Sequence, residues 1–193
     1  MNENPTTTIL APRRTLLVRG GQALLSATAI AILAGCENMA STRTASATST
    51  AGDVDILNTA LGLEWEGIAA YQVGAESGLL TKPVLDVAVA FQGHHKEHAK
   101  ALMTAIKQLG GTAVEPMAKY DFPVEQLKSE KDVLRFAAGL EQGAASAYYG
   151  AIPVFGSRDL AQAGASIMAD EAMHWAVLLS VLGENPVPSA FVS

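Results

Sequence analysis

The sequence predicts an all-α fold, a four-helix bundle made of two helical hairpins joined by a long crossover. Three observations lead there. From Asp53 onward apolar residues recur at helical spacing almost everywhere, and no run alternates as a strand would. Two of the three connections between helical stretches are short, while the middle one, residues 110–129, is long. The two halves also repeat each other: LEWEGIAAY (63–71) pairs with LEQGAASAY (140–148), and HHKEHAKAL (94–102) pairs with DEAMHWAVL (170–178).

Each element has its own signals. The first helix is expected over 54–77 with Asp53 as its N-cap. The second runs over 82–109 after Thr81, with Pro83 tolerated in the first turn, and stops at Gly110-Gly111. The third starts near Ser129, where SEKD resembles a capping box with Asp in place of Glu, and ends before Pro153. The fourth runs over 158–182 after Ser157 and stops at Gly183. An extended crossover of about twenty residues reaches up to about 66 Å, while a helix of about 25 residues is only about 37 Å long. The crossover is therefore long enough to travel the length of the bundle, so the second hairpin need not continue in simple up-and-down order.

The folded part is expected over residues 53–188, as one domain with one core. Ahead of it, APRRTLLVRGGQALLSATAIAILAGC has a basic start with Arg13 and Arg14, then about sixteen apolar residues, too few to span a membrane unaided. Residues 1–35 thus read as a targeting segment outside the fold. RRTLLVR resembles a twin-arginine export signal and LAGC resembles the lipobox of bacterial lipoproteins. That resemblance implies cleavage before Cys36, the single cysteine, with lipid on its thiol and the protein held at the cell envelope on the periplasmic side. Residues 36–52, small, polar and aperiodic, are expected to form a flexible tether. Cleavage would remove three arginines and one glutamate and take the net charge from −6 to −8. With no basic run left, nucleic acid is not an expected partner, and the membrane is reached through the lipid instead of through charge. A homodimer is compatible with the sequence, and no motif in it identifies a redox partner. No Gly-rich phosphate loop, nucleophile elbow or CxxC pair supports nucleotide binding, serine hydrolysis or thiol redox chemistry.

At about 100° per residue, Glu64 shares a face with Leu57, Leu61, Ile68 and Tyr71, and Glu141 shares one with Leu134, Ala145, Tyr148 and Ile152. Glu171 and His174 share a face with Ile167, Leu178 and Leu182. In the second helix Lys96, Lys100 and Lys107 mark the wet side, so His95 and His98 point inward, His94 lies at the edge, and Glu97 falls on the solvated flank. No inward Lys or Arg is available to balance the three carboxylates. Unpaired buried charge costs several kcal/mol, at least about 3, and a bound cation relieves it. The six inward residues are thus candidate metal ligands, the alternative being a polar core held by shared protons.

These residues resemble the ferritin-like superfamily, in particular its bacterioferritin and rubrerythrin relatives and small exported ferritin-like domain proteins. The resemblance implies a di-iron centre with a Glu on each of two helices and a Glu-x-x-His on each of the others. Glu64 and Glu141 match the single glutamates, Glu171 and His174 match one Glu-x-x-His, and His98 matches the second histidine. His95 departs from the pattern, standing where the family has a Glu that commonly bridges the metals. The ligand set then carries −3 instead of −4, holds Fe(III) less well, and opens the way to a mononuclear site or to manganese or zinc. Around it, Asp170 and His94 occupy equivalent positions, with Asp170 expected to orient His98. Tyr71 and Tyr148 are expected as core aromatics whose hydroxyls find buried partners, with electron transfer as the other role. The implied function is a metal-dependent oxidase or peroxidase acting on peroxide or oxygen; the alternative is a non-catalytic metal-binding or stress-related envelope scaffold.

Overall fold

The computed structural model describes residues 47–192. Helix α1 spans Ala47–Glu76, α2 Lys82–Gln108, α3 Glu130–Ala151 and α4 Arg158–Leu182, with short 3-10 turns at Val124–Gln126 and Ile152–Val154. Among the described residues there is no strand. The expected signal segment, Cys36 and most of the expected tether lie outside the described residues.

Most helix ends fall where local chemistry puts them. Ser129 caps α3 by accepting from the Asp132 amide, and the Asp132 carboxylate in turn accepts from the Ser129 hydroxyl. Ser157 caps α4 by accepting from the Leu160 amide, and Gly183 ends that helix in the left-handed conformation, φ 75°, that favours glycine. The start of α1 is different from expectation. The helix begins at Ala47, so residues 47–52 are helical where a flexible tether was expected, and Asp53 lies inside the helix instead of capping it. Nothing in ATSTAG forbids a helix, and Asp53 has another use. Buried at 4 % exposure, its carboxylate accepts from the Gly156 amide at 2.7 Å and fastens α1 to the α3–α4 connection.

Helices α1 and α2 pack as one antiparallel hairpin and α3 and α4 as another. The crossover leaves α2 beside the start of α1, where Gly111 lies against Val54. It then climbs α1: the Asn58 amide donates to Thr112 O at 3.0 Å, Asn58 Oδ1 accepts from Val114 N at 2.8 Å, and Trp65 Nε1 donates to Val114 O at 3.1 Å. At the far end the Thr81 amide donates to the Glu130 carboxylate, which ties the α1–α2 turn to the start of α3. The crossover does run the length of the bundle.

The core has two apolar layers. Leu57, Leu61, Leu102, Ile106, Leu160 and Ile167 fill one, and Tyr71, Phe91, Leu134, Ala138 and Leu178 fill the other. On every helix the inward acid or imidazole falls between residues of these two layers, so a polar slab crosses the bundle at mid-height with hydrocarbon on both sides.

Because two of the crossover's hydrogen bonds converge on one side chain, Asn58→Ala should cost about 1–2 kcal/mol in urea unfolding. It should also speed hydrogen exchange at the Val114 amide while leaving amides in the middle of α2 unchanged. Unaltered exchange at Val114 would show that Asn58 does not hold the crossover.

Candidate metal centre

Glu64 on α1, His95 and His98 on α2, Glu141 on α3, and Glu171 and His174 on α4 converge on one point. Five of the six are at most 3 % exposed, and the His98 side chain is 14 % exposed. Glu97 stays outside with Lys100, as its position on the flank requires. The helical arithmetic therefore placed all six inward residues on the correct face.

Two overlapping quartets can be drawn. Glu64, His95, His98 and Glu171 form one, and His95, Glu141, Glu171 and His174 the other; within each, one ligand atom per residue lies within 4.8 Å of the rest. His95 and Glu171 belong to both. The histidine that replaces the expected Glu thus stands between the two quartets, opposite the glutamate at the equivalent position of α4.

The neighbours of this set are organised in pairs. The Tyr148 hydroxyl donates to Glu64 Oε1 at 2.6 Å, and the Tyr71 hydroxyl donates to Glu141 Oε1. Each hairpin's tyrosine therefore serves the other hairpin's glutamate. Asp170 Oδ2 lies 3.3 Å from His98 Nε2 and 3.3 Å from His174 Nε2, so it orients both rings with Nδ1 turned toward the centre. His94, half exposed, places Nδ1 3.1 Å from Asp170 Oδ2 and 2.9 Å from His174 Nε2.

Some contacts lay beyond the sequence reading. Gly67 sits directly under His95, where a β-carbon would come within 3.1 Å of the ring. A glycine inside a helix costs about 1 kcal/mol relative to alanine, so its place one turn after Glu64 was the available signal. Phe91 stacks on His174 with ring centroids 4.0 Å apart and fixes its plane from the apolar side.

Electrostatics follow from this packing. Burial alone would favour neutral imidazoles, but hydrogen bonds from His95 to Glu64 and Glu141, and the close negative charge of Glu64, Glu141 and Glu171 at His98 and His174, outweigh it. His95 is pushed up to about 10, and His98 and His174 to about 9. His95 shows why: Nδ1 is 2.8 Å from Glu64 Oε2 and Nε2 is 3.3 Å from Glu141 Oε1, so both nitrogens have acceptors only a protonated ring can serve. Burial raises the glutamates as well, yet Glu64 and Glu141 end below the usual carboxylate range because histidine donors oppose it. Glu171 is held above that range by burial. Without metal, three imidazoliums thus face the Glu64 and Glu141 carboxylates, with Glu171 the acid that protonates most readily. Burial also keeps the Tyr71 and Tyr148 phenols protonated, as donors must be.

Whether the residues fit a metal can be tested on the buried atoms that hydrogen bonding leaves over. His98 Nδ1, Glu141 Oε2, both Glu171 oxygens and His174 Nδ1 are buried without a hydrogen bond. All five point into the quartets. His98 Nδ1 is 3.0 Å from Glu171 Oε1 and 3.5 Å from Glu64 Oε2, and His174 Nδ1 is 3.4 Å from Glu171 Oε2 and 3.5 Å from Glu141 Oε2. Ligands of a tetrahedral ion with bonds of about 2.1 Å lie about 3.4 Å apart. The donor set, its spacing and its leftover atoms fit divalent metal.

The signs of these shifts give a pH profile for the metal-free protein. Histidines raised in the folded state contribute stability that is complete below about pH 6.5 and is lost as pH climbs through about 9 to 10. The lowered Glu64 and Glu141 contribute stability that is complete above their unfolded value and is lost in acid. Thermal melting after chelation should therefore peak at about pH 5 to 6.5 and fall from there to about pH 10. A flat alkaline limb would mean that the rings are not charged against the glutamates.

No protein of curated function matches the chain in sequence. The chain is similar in structure to a conserved hypothetical protein from Mycobacterium tuberculosis, with a TM-score of 0.65, 23 % identity, and coverage of 74 % of this chain and 99 % of the other. At that identity the likeness speaks for the fold. The family model described as a ferritin-like domain matches residues 52–184, which takes in α1 from its sixth residue, all of α2, α3 and α4, and all six converging residues. The chain belongs to the ferritin-like domain family.

Proposed function

We propose that this protein is an exported ferritin-like metal protein, lipid-anchored through Cys36, whose two quartets hold a pair of divalent ions for chemistry on peroxide or oxygen. The observation that carries the metal reading is the set of buried, unbonded ligand atoms on Glu141, Glu171, His98 and His174. Such atoms cost about 1–3 kcal/mol each when left unsatisfied, and one cation per quartet would satisfy them together. Iron or manganese would supply one-electron redox steps and Lewis acidity to a bound oxygen species.

The chain's own part is to hold and to shield. Asp170 fixes the His98 and His174 rings, Tyr148 and Tyr71 hold Glu64 and Glu141 by one oxygen each, and the apolar layers on either side keep bulk water out. His95 is the one member of the set that tempers the reading. A set charged −3 suits two divalent ions better than two trivalent ones, which favours manganese or zinc more than a purely carboxylate-bridged site would. That observation also supports the second reading, a non-catalytic metal-binding envelope protein. Export by the twin-arginine route suits a protein that folds before crossing the membrane.

Metal content per chain of the full-length protein separates these readings. One or two equivalents of iron or manganese, lost in Glu171→Ala and in His98→Ala, together with peroxide consumption, would support the redox centre. Zinc alone would move the assignment to binding without turnover. No metal after reconstitution would leave a core held by shared protons. Restoring the acid with His95→Glu takes the set to −4 and should tighten retention of Fe(III) by at least about tenfold, equivalent to about 1.4 kcal/mol. Unchanged retention against a chelator would show that His95 does not face the metal.

A further inference from the structure

The two ring edges of His174 face different surroundings. Nδ1 looks into the buried centre, toward Glu171 and Glu141. Nε2 looks outward, to Asp170 Oδ2 at 3.3 Å and His94 Nδ1 at 2.9 Å. With His94 Nδ1 3.1 Å from Asp170 Oδ2, these three donors make a triangle of nearly equal edges. It has the size of one face of a tetrahedron around an ion with bonds of about 2.0 Å. Its outer corner is open: the His94 side chain is 50 % exposed and that of Asp170 is 23 % exposed, while His174 is buried. A grouping that contains a solvent-facing imidazole, a mostly covered carboxylate and the outer edge of a core ligand spans the wall of the bundle.

We infer that His94, Asp170 and the Nε2 edge of His174 form a separate capture site for divalent metal, through which the buried centre is filled; the inference rests on the metal reading above. Other ways in are ill suited to an ion. The cavity bordered by Tyr71 is otherwise walled by Ala, Gly, Val, Leu and Phe, and that bordered by Tyr148 by Ile, Leu, Ala and one Thr, with no charged residue in either wall. Taking an ion from water past such surfaces leaves its charge uncompensated, whereas the His94–Asp170 face offers ligands at each stage. The capture site is a station and not a third permanent position. Once His174 coordinates inward through Nδ1, its Nε2 keeps a proton that Asp170 accepts, so the outer triangle loses one corner when the centre is full. His94 belongs to the outer triangle alone, which makes it the residue to remove.

The test is stopped-flow loading of the metal-free full-length protein with cobalt(II), whose visible bands report coordination, comparing the wild type with His94→Ala. The expected result is the same final equivalents of cobalt and the same final spectrum, reached at least about tenfold more slowly, a barrier rise of about 1.4 kcal/mol. Release into excess chelator should slow by a similar factor. Equal loading rates in the two proteins would overturn the capture site and leave the buried centre standing. A lower final content in His94→Ala would overturn it too, by making His94 a permanent ligand. Failure of the wild type to take up cobalt would overturn the metal reading itself, and this inference with it.

Discussion

Three carboxylates at the centre of a bundle, with hydrocarbon above and below them, are the constraint that the other features answer to. Glu64, Glu141 and Glu171 are almost fully buried, and no lysine or arginine reaches them among the described contacts. Burial of charge is tolerated only with partners close by and correctly aimed. The fold supplies those partners from all four helices: imidazoles from α2 and α4, phenols from α1 and α3, and Asp170 behind the rings. Removing any one helix would strand a charge.

The sequence repeat becomes a spatial two-fold, and the way the two-fold is broken sets the character of the site. Equivalent positions carry Asp170-Glu171 on α4 and His94-His95 on α2. What would be four acids in a symmetric bundle is instead two acids facing two imidazoles, with His94 3.1 Å from Asp170 and His95 3.7 Å from Glu171. The two hairpins therefore set acids against imidazoles across the α2–α4 side. This gives the metal-free protein a means of neutralising itself that a four-acid site lacks. In the proposed metal site it would also lower the hold on highly charged ions.

Much of this was legible in the sequence, because helices impose a short period and the inward positions can be counted. All six converging residues, the crossover's span and the caps at Ser129 and Ser157 follow from local patterns. Asp170 was expected to orient His98 and in the structure reaches His174 as well. What the period could not show is the relation between helices. The start of α1 was misplaced because Asp53 looks like a cap when its partner, Gly156, is 103 residues away. Gly67 was passed over because the ring that rests on it comes from α2. The sharing of His95 between two quartets likewise depends on how far the helices stand apart, which no single helical wheel contains.

The crossed Tyr–Glu bonds have a consequence for how the molecule comes together. Tyr148 bonds Glu64 and Tyr71 bonds Glu141, so neither hairpin carries the phenol that serves its own acid, although His95 serves Glu64 from within the first. A hairpin formed alone would expose an apolar face with a carboxylate oxygen in its middle that lacks its phenol donor. Only docking of the two halves silences both acids at once. The bundle is thus built to assemble in one cooperative step, with no half that is content by itself.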